Sequence, residues 1–168
     1  MTDFITQIDF NILNAIQSIR NPFLDTIMPL ITFLGSGGIV WAVTALIMLC
    51  FKKSRKTGII IIVSLLLGLF LSTMGLKNVI ARERPYNTEE ALLTVENLLI
   101  SAPSGRFSFP SGHAISSFSA ATVILLYSKK LGIPAIILAA LICFTRLYLY
   151  VHFPSDVICG ALSLIHIS

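Results

Sequence analysis

Charge is scarce in this chain. Only 12% of its 168 residues are charged, while 55% are hydrophobic. A soluble domain carries about 25% charged residues. With a mean hydropathy of +0.88, the composition is that of a membrane protein. The net charge of +4 does not suggest nucleic acid as a partner, because the chain is too apolar. Cysteine is sparse too. Cys50, Cys143 and Cys159 all lie in apolar stretches without a C-x-x-C spacing. They read as buried small hydrophobes rather than a metal or redox pair. No Lys or Arg precedes the first apolar residues, so a cleaved signal peptide is not expected.

What the chain has in quantity is apolar sequence, in segments too closely spaced for independent domains. Phe4, Ile5, Ile8, Ile12, Leu13, Ile16 and Ile19 share a broad face at helical spacing. Asp9, Asn11, Asn14 and Gln17 fall mostly elsewhere. This segment is too polar to cross a bilayer and predicts an interfacial amphipathic helix. Asn21-Pro22 ends it. The domain expectation is therefore 1–22 as that helix and 23–168 as the membrane-embedded body.

Four spans are expected: Ile27 to Phe51, Thr57 to Leu76, Ser111 to Tyr127 and Leu131 to Val151. Pro29 and Gly35-Ser36-Gly37-Gly38 are expected to bend the first or loosen its first half, and Pro134 to sit in the opening turn of the fourth, where proline is tolerated. A fifth begins near Pro154, but only twelve residues follow Asp156. A crossing needs about 20, so this last helix reads as cut, and the natural chain is expected to continue. No role is expected for His166 in the tail. The fold class is all-α, an integral membrane bundle of about five to six helices.

Loop charge orients the bundle. Lys52, Lys53, Arg55 and Lys56 fill one short loop, and Lys129 and Lys130 another, without an acid in either. By the positive-inside rule both are cytoplasmic. The opposite ends then carry three polar clusters: Lys77 with Arg84-Pro85, Pro110-Ser111-Gly112-His113, and Arg146 with His152 and Asp156. Such residues at the ends of apolar runs are a functional hypothesis by default.

Together they suit phosphoryl chemistry. Lys77, Arg84 and Arg146 can neutralise phosphate oxygens, Arg as a planar fork and Lys as a point charge. Ser111 is a good N-cap, Gly112 lets a ligand approach the backbone, and a helix N-terminus favours phosphate. His113 in the first turn can protonate a departing oxygen. His152 and Asp156, four apart, allow the carboxylate to fix the imidazole tautomer and leave the other nitrogen to attack. Arg82, Glu83 and Arg106 read as solvated or supporting charges.

At these residues the chain resembles the type 2 phosphatidic acid phosphatase family, related to vanadate-binding haloperoxidases. The pattern reads KNVIARERP, PSGH and TRLYLYVHFPSD, with Thr145 where the family has Ser. The resemblance implies a six-helix membrane bundle that needs no metal or other cofactor. It implies His152 as nucleophile, Asp156 as its orienting partner and His113 as acid. Lys77, Arg84, Ser111, Gly112 and Arg146 would cradle the phosphate. The expected partner is a lipid phosphate at the extracytoplasmic face of a cell membrane. Undecaprenyl diphosphate is favoured, with phosphatidylglycerol phosphate or phosphatidate next. The rivals are a lipid transporter or scramblase passing an anionic head group, and a metal-dependent hydrolase with His113, His152 and Asp156 as ligands.

Overall fold

Asn21 and Pro22 do break the chain, and in a recognisable way. In the computed structural model the first helix, α1 (Phe4–Gln17), stops just before them. The Asn21 side chain then accepts the N–H of Leu24 and caps α2 (Pro22–Gly35), with Pro22 in its opening turn. The structure describes residues 4–70, 72, 77–89, 91, 98–101, 103 and 105–163.

α2 leads through a short 3-10 turn, Ser36–Gly38, into α3 (Ile39–Cys50). Gly37 and Gly38 adopt φ of 59° and 71° there, a left-handed conformation that side chains disfavour. The expected bend therefore falls at the glycines, and Pro29 stays inside α2. α4 covers Arg55–Phe70; residues 71 and 73–76 of the expected second span lie outside the described residues. A single turn, α5 (Lys77–Ile80), opens the polar region. α6 (Gly112–Tyr127), α7 (Lys129–Tyr148) and α8 (Pro154–Leu162) follow. α7 starts at Lys129, so Pro134 sits inside the helix rather than in its opening turn. His166 lies outside the described residues.

Among the described residues the fold is all-helical, apart from one isolated bridge between Glu83 and Phe107. α6 is its hub, packing on α4, α7 and α8. The core that α6 shares with α3, α4 and α7 is built from Trp41, Ile61, Ile124 and Ile142 with Ala45, Ala120, Ala121 and Ala139. The alanines let helix backbones approach closely. Trp41 Nε1 donates to Ser117 Oγ at 3.0 Å, which satisfies the one polar atom of that indole.

Large hydrophobic side chains also stand on the outside. Leu46, Ile59, Ile60, Val63, Leu66, Ile133 and Ile137 are all exposed. Soluble monomers rarely present a contiguous apolar surface of this kind. Two helical stretches among the described residues are long and apolar enough to cross a bilayer: Pro22–Cys50, 29 residues, and Lys129–Tyr148, 20 residues. α6 is apolar but shorter. On α1, Phe4, Ile5, Ile8 and Ile12 stay exposed while Asp9, Phe10 and Leu13 are buried.

Only Ser128 separates α6 from α7, so the two run antiparallel. The beginning of α6 and the end of α7 meet at one end of the bundle. At 1.5 Å per residue, that end lies about 24 Å from Lys129 and Lys130.

Candidate active site

Arg146 occupies the last turn of α7. Beyond it the chain reverses tightly: Val151 N–H donates to Arg146 O at 3.1 Å, and Tyr150 takes φ of 58°. A non-glycine residue held there costs energy and persists only when its surroundings impose it. Tyr150 is buried with Phe10, Leu13 and Phe153. This reversal delivers His152 into the interior at 3% exposure, with Asp156 completely buried on the first turn of α8.

The Asp156 carboxylate is held on both oxygens. Oδ2 accepts the Phe153 N–H at 2.9 Å, and Oδ1 accepts Arg82 Nη1 at 2.9 Å. His152 Nδ1 faces Oδ2 at 3.6 Å, beyond hydrogen-bonding length; a small ring movement closes that gap. On the other side of the ring, Arg84 Nη1 stands 3.2 Å from Nε2. Guanidinium is only a donor, so Nε2 carries the lone pair and Nδ1 the proton. Burial lowers the His152 pKa to about 4; Asp156 pulls the other way, and Arg146 and Arg84 add to the lowering. The resting imidazole is neutral.

Arg84 is fixed by two further bonds, from Nε to Gly105 O at 2.7 Å and from Nη1 to Val151 O at 2.9 Å. Burial lowers its pKa, and Tyr86 and Asp156 oppose this. Lys77 is likewise lowered, by burial and then by Arg84. Arg146 Nη1 donates to Thr32 Oγ1 of α2 at 2.6 Å. Ser111 sits at the N-cap of α6 as expected, but its hydroxyl caps nothing. Instead its backbone N–H donates to Asp156 O at 3.2 Å, tying the second cluster to the third. Gly160 permits this docking: a Cβ there would meet Ser111 O at 2.8 Å.

A cavity of about 420 Å³ opens here, its wall including Lys77, Arg84, Gly112, His113, Arg146 and His152. Six of the eight expected site residues thus face one space. Asp156 and Ser111 support it from behind. Ser111 Oγ, His113 Nε2, Arg146 Nε and His152 Nδ1 are buried without a hydrogen-bond partner. Buried polar atoms normally have partners. His152 Nδ1 is turned to Asp156, but His113 and Arg146 belong to the cavity wall, and their unpartnered nitrogens beside cationic groups describe a place for an anion rich in acceptors. Asn78, Arg106 and Phe107 also line the cavity. Sequence reasoning left Arg106 as a solvated or supporting charge and missed Thr32 and Asp9. The only signal for Asp9 was an acid on an otherwise uncharged helix.

A second cavity, about 560 Å³, runs between α2, α3, α4 and α6. Gly38, Ala42, Ile62, Leu65 and Leu66 line it, and it shares Lys77, Gly112 and His113 with the first. A polar chamber and an apolar groove therefore meet at the same three residues.

Residues 57–167 match the PAP2 superfamily. The chain belongs to that family. It is 37% identical over 138 residues to an undecaprenyl-diphosphatase of Sulfolobus acidocaldarius, covering 80% of this chain and 64% of that protein. The chain therefore spans a little under two thirds of that relative. It is 30% identical over 171 residues to a lipid A 4'-phosphatase of Bacteroides thetaiotaomicron, covering 96% of this chain and 74% of the other. Among solved structures, LpxE of Aquifex aeolicus superposes with a TM-score of 0.77 at 30% identity, covering 96% of this chain and 92% of that one. A transmembrane PAP2-type phosphatidylglycerolphosphate phosphatase of Bacillus subtilis gives 0.73 at 28% identity, covering 95% and 80%. Membership of the PAP2 superfamily, expected from the three clusters, is established.

Proposed function

We propose that this PAP2 protein is a membrane-integral lipid phosphatase that works through a phosphohistidine. One observation carries the reading: His113 and Arg146, each with a buried unpartnered nitrogen, stand in the wall of a cationic cavity that joins an apolar groove. The head group of an amphiphile fits the first space and its chain the second.

The His152 Nε2 lone pair attacks phosphorus and forms the P–N bond. The P–O bond to the lipid breaks, and His113 gives its proton to the departing oxygen. Water then attacks the phosphorus and gives a proton to His113, the P–N bond breaks, and phosphate leaves. Lys77, Arg84 and Arg146, with the Gly112 backbone, meet the charge on the equatorial oxygens, and Ser111 holds the start of α6 behind them. The incoming phosphoryl group displaces Arg84 from Nε2 and takes over its donor.

Among lipid phosphates we favour a polyprenyl diphosphate such as undecaprenyl diphosphate, with phosphatidylglycerol phosphate or phosphatidate next. The cavity exceeds what one phosphoryl group fills, given about 30 Å³ per water in the liquid. Lys77 and Arg106 in its wall suit a second phosphoryl group. The Sulfolobus relative is named for such a substrate.

In this reading residues 23–168 form a multi-pass body in a cell membrane, and 1–22 lie along its surface. The site opens on the extracytoplasmic side, away from Lys129 and Lys130. A metal suits the site poorly: both Asp156 oxygens already accept from Arg82 and Phe153.

Phosphate release from a panel of lipid phosphates in detergent tests the activity. The wild-type protein is expected to release phosphate, and His152→Ala to release none while remaining in the membrane. Release without net lipid movement in vesicles separates hydrolysis from transport. Full turnover by His152→Ala removes the nucleophile.

A further inference from the structure

α1 does more than lie on the bundle. It sends one carboxylate, Asp9, into the interior at 2% exposure. Asp9 Oδ2 accepts Arg82 Nη2 at 2.8 Å, and its Oδ1 accepts the Ser155 N–H at 2.9 Å. The Ser155 hydroxyl also donates to Asp9. Arg82 reaches onward through Nη1 to Asp156 Oδ1 at 2.9 Å. Its guanidinium lies 3.9 Å over the Phe153 ring, and Phe10 of α1 packs edge-on against that same ring at 5.2 Å. Phe153 is the residue whose N–H holds the other Asp156 oxygen.

We propose that Asp9 and Arg82 are positioning residues for the reaction, and that α1 thereby aims the Asp156–His152 pair. The proposal rests on His152 as the attacking group. A carboxylate on one short stem can turn either oxygen toward an imidazole. Here Arg82 takes Oδ1 and leaves Oδ2 for His152. Arg82 is itself pinned by Asp9, by Ser155 and by the Phe153 face. Charge gives Asp9 a second task. Arg82 alone would draw the negative charge of Asp156 away from the ring. Flanked by two carboxylates, Arg82 is already compensated, and Asp156 keeps its charge for the imidazole as the P–N bond forms.

The test measures kcat and KM separately with farnesyl diphosphate and dioctanoyl phosphatidic acid in detergent. Asp9→Asn and Arg82→Gln are expected to lower kcat by about 10- to 100-fold, the scale of a small misplacement at a reacting centre. KM should stay within about twofold, because neither residue lines the phosphate cavity. Arg82→Lys keeps a cation and should recover part of the loss. Asn11→Ala, on the exposed face of the same helix, should leave kcat unchanged. A second readout does not depend on turnover. NMR of histidine-labelled protein reports the His152 Nδ1–H proton and its hydrogen bond to Asp156. Arg84 on Nε2 keeps the tautomer in both proteins, so the expectation is a downfield Nδ1–H resonance in wild type that moves upfield in Asp9→Asn. If no probe is hydrolysed by wild type, the proposed activity fails, and the Nδ1–H resonance still decides the positioning claim. An unchanged Nδ1–H resonance, or kcat losses that merely follow the melting temperatures, overturns the positioning claim.

Discussion

His152 is polar in a place that resists charge. Its neutral ring follows from burial that lowers its pKa to about 4, against an ordinary 6.5. The sign of the consequence is definite. Between pH 6.5 and 4 the unfolded chain binds a proton that the native ring refuses, so acidification through that window favours unfolding. Below about 4 both states are protonated at this position, and its contribution levels off. The melting temperature of the ligand-free protein in detergent should therefore fall more steeply from pH 7 to 4 in wild type than in His152→Gln. Parallel curves would contradict the neutral, buried assignment. The ring was legible in the sequence because an imidazole at the end of an apolar run is costly unless used. Its partners were less legible. Thr32 holds Arg146 from 114 positions away, and Asp9 meets Ser155 across 146. Neither pairing leaves a trace in local spacing.

Helices α6 and α7 carry the site as an antiparallel pair, and α7 opens at the far end with Lys129 and Lys130. Most elements followed from hydrophobic runs and from Asn21-Pro22, whose capping chemistry is local. The differences also have local causes. The bend settled on Gly37 and Gly38 because they alone accept the left-handed backbone there, and Pro29 needs no such conformation. The Ser111 hydroxyl makes no cap, while the Ser111 backbone N–H docks on α8 beside Gly160. α1 read as a purely interfacial helix, since one face is apolar; that its opposite face docks through Asp9 required the fold. Orientation is a statement about these elements and their ends. A membrane-impermeant maleimide should label Arg106→Cys in intact cells and Lys130→Cys only after permeabilisation. The reverse pattern would put the site on the cytoplasmic side.

For the molecule as a whole, the arrangement is an apolar shell around one cationic chamber. Three clusters spread over residues 77–156 converge because α4 leads into the first, α6 opens with the second, and α7 and α8 bracket the third. The apolar groove joins the chamber at Lys77, Gly112 and His113, so a chain and its head group can be held together. The central claim is that this chamber places a phosphoryl group on His152. Rapid quenching of the protein during turnover, in alkali that preserves phosphohistidine, followed by peptide mapping, tests it directly. The account predicts phosphate on the peptide containing His152 and on no other. Turnover with phosphate on Ser111, or with no phosphorylated peptide, would contradict it.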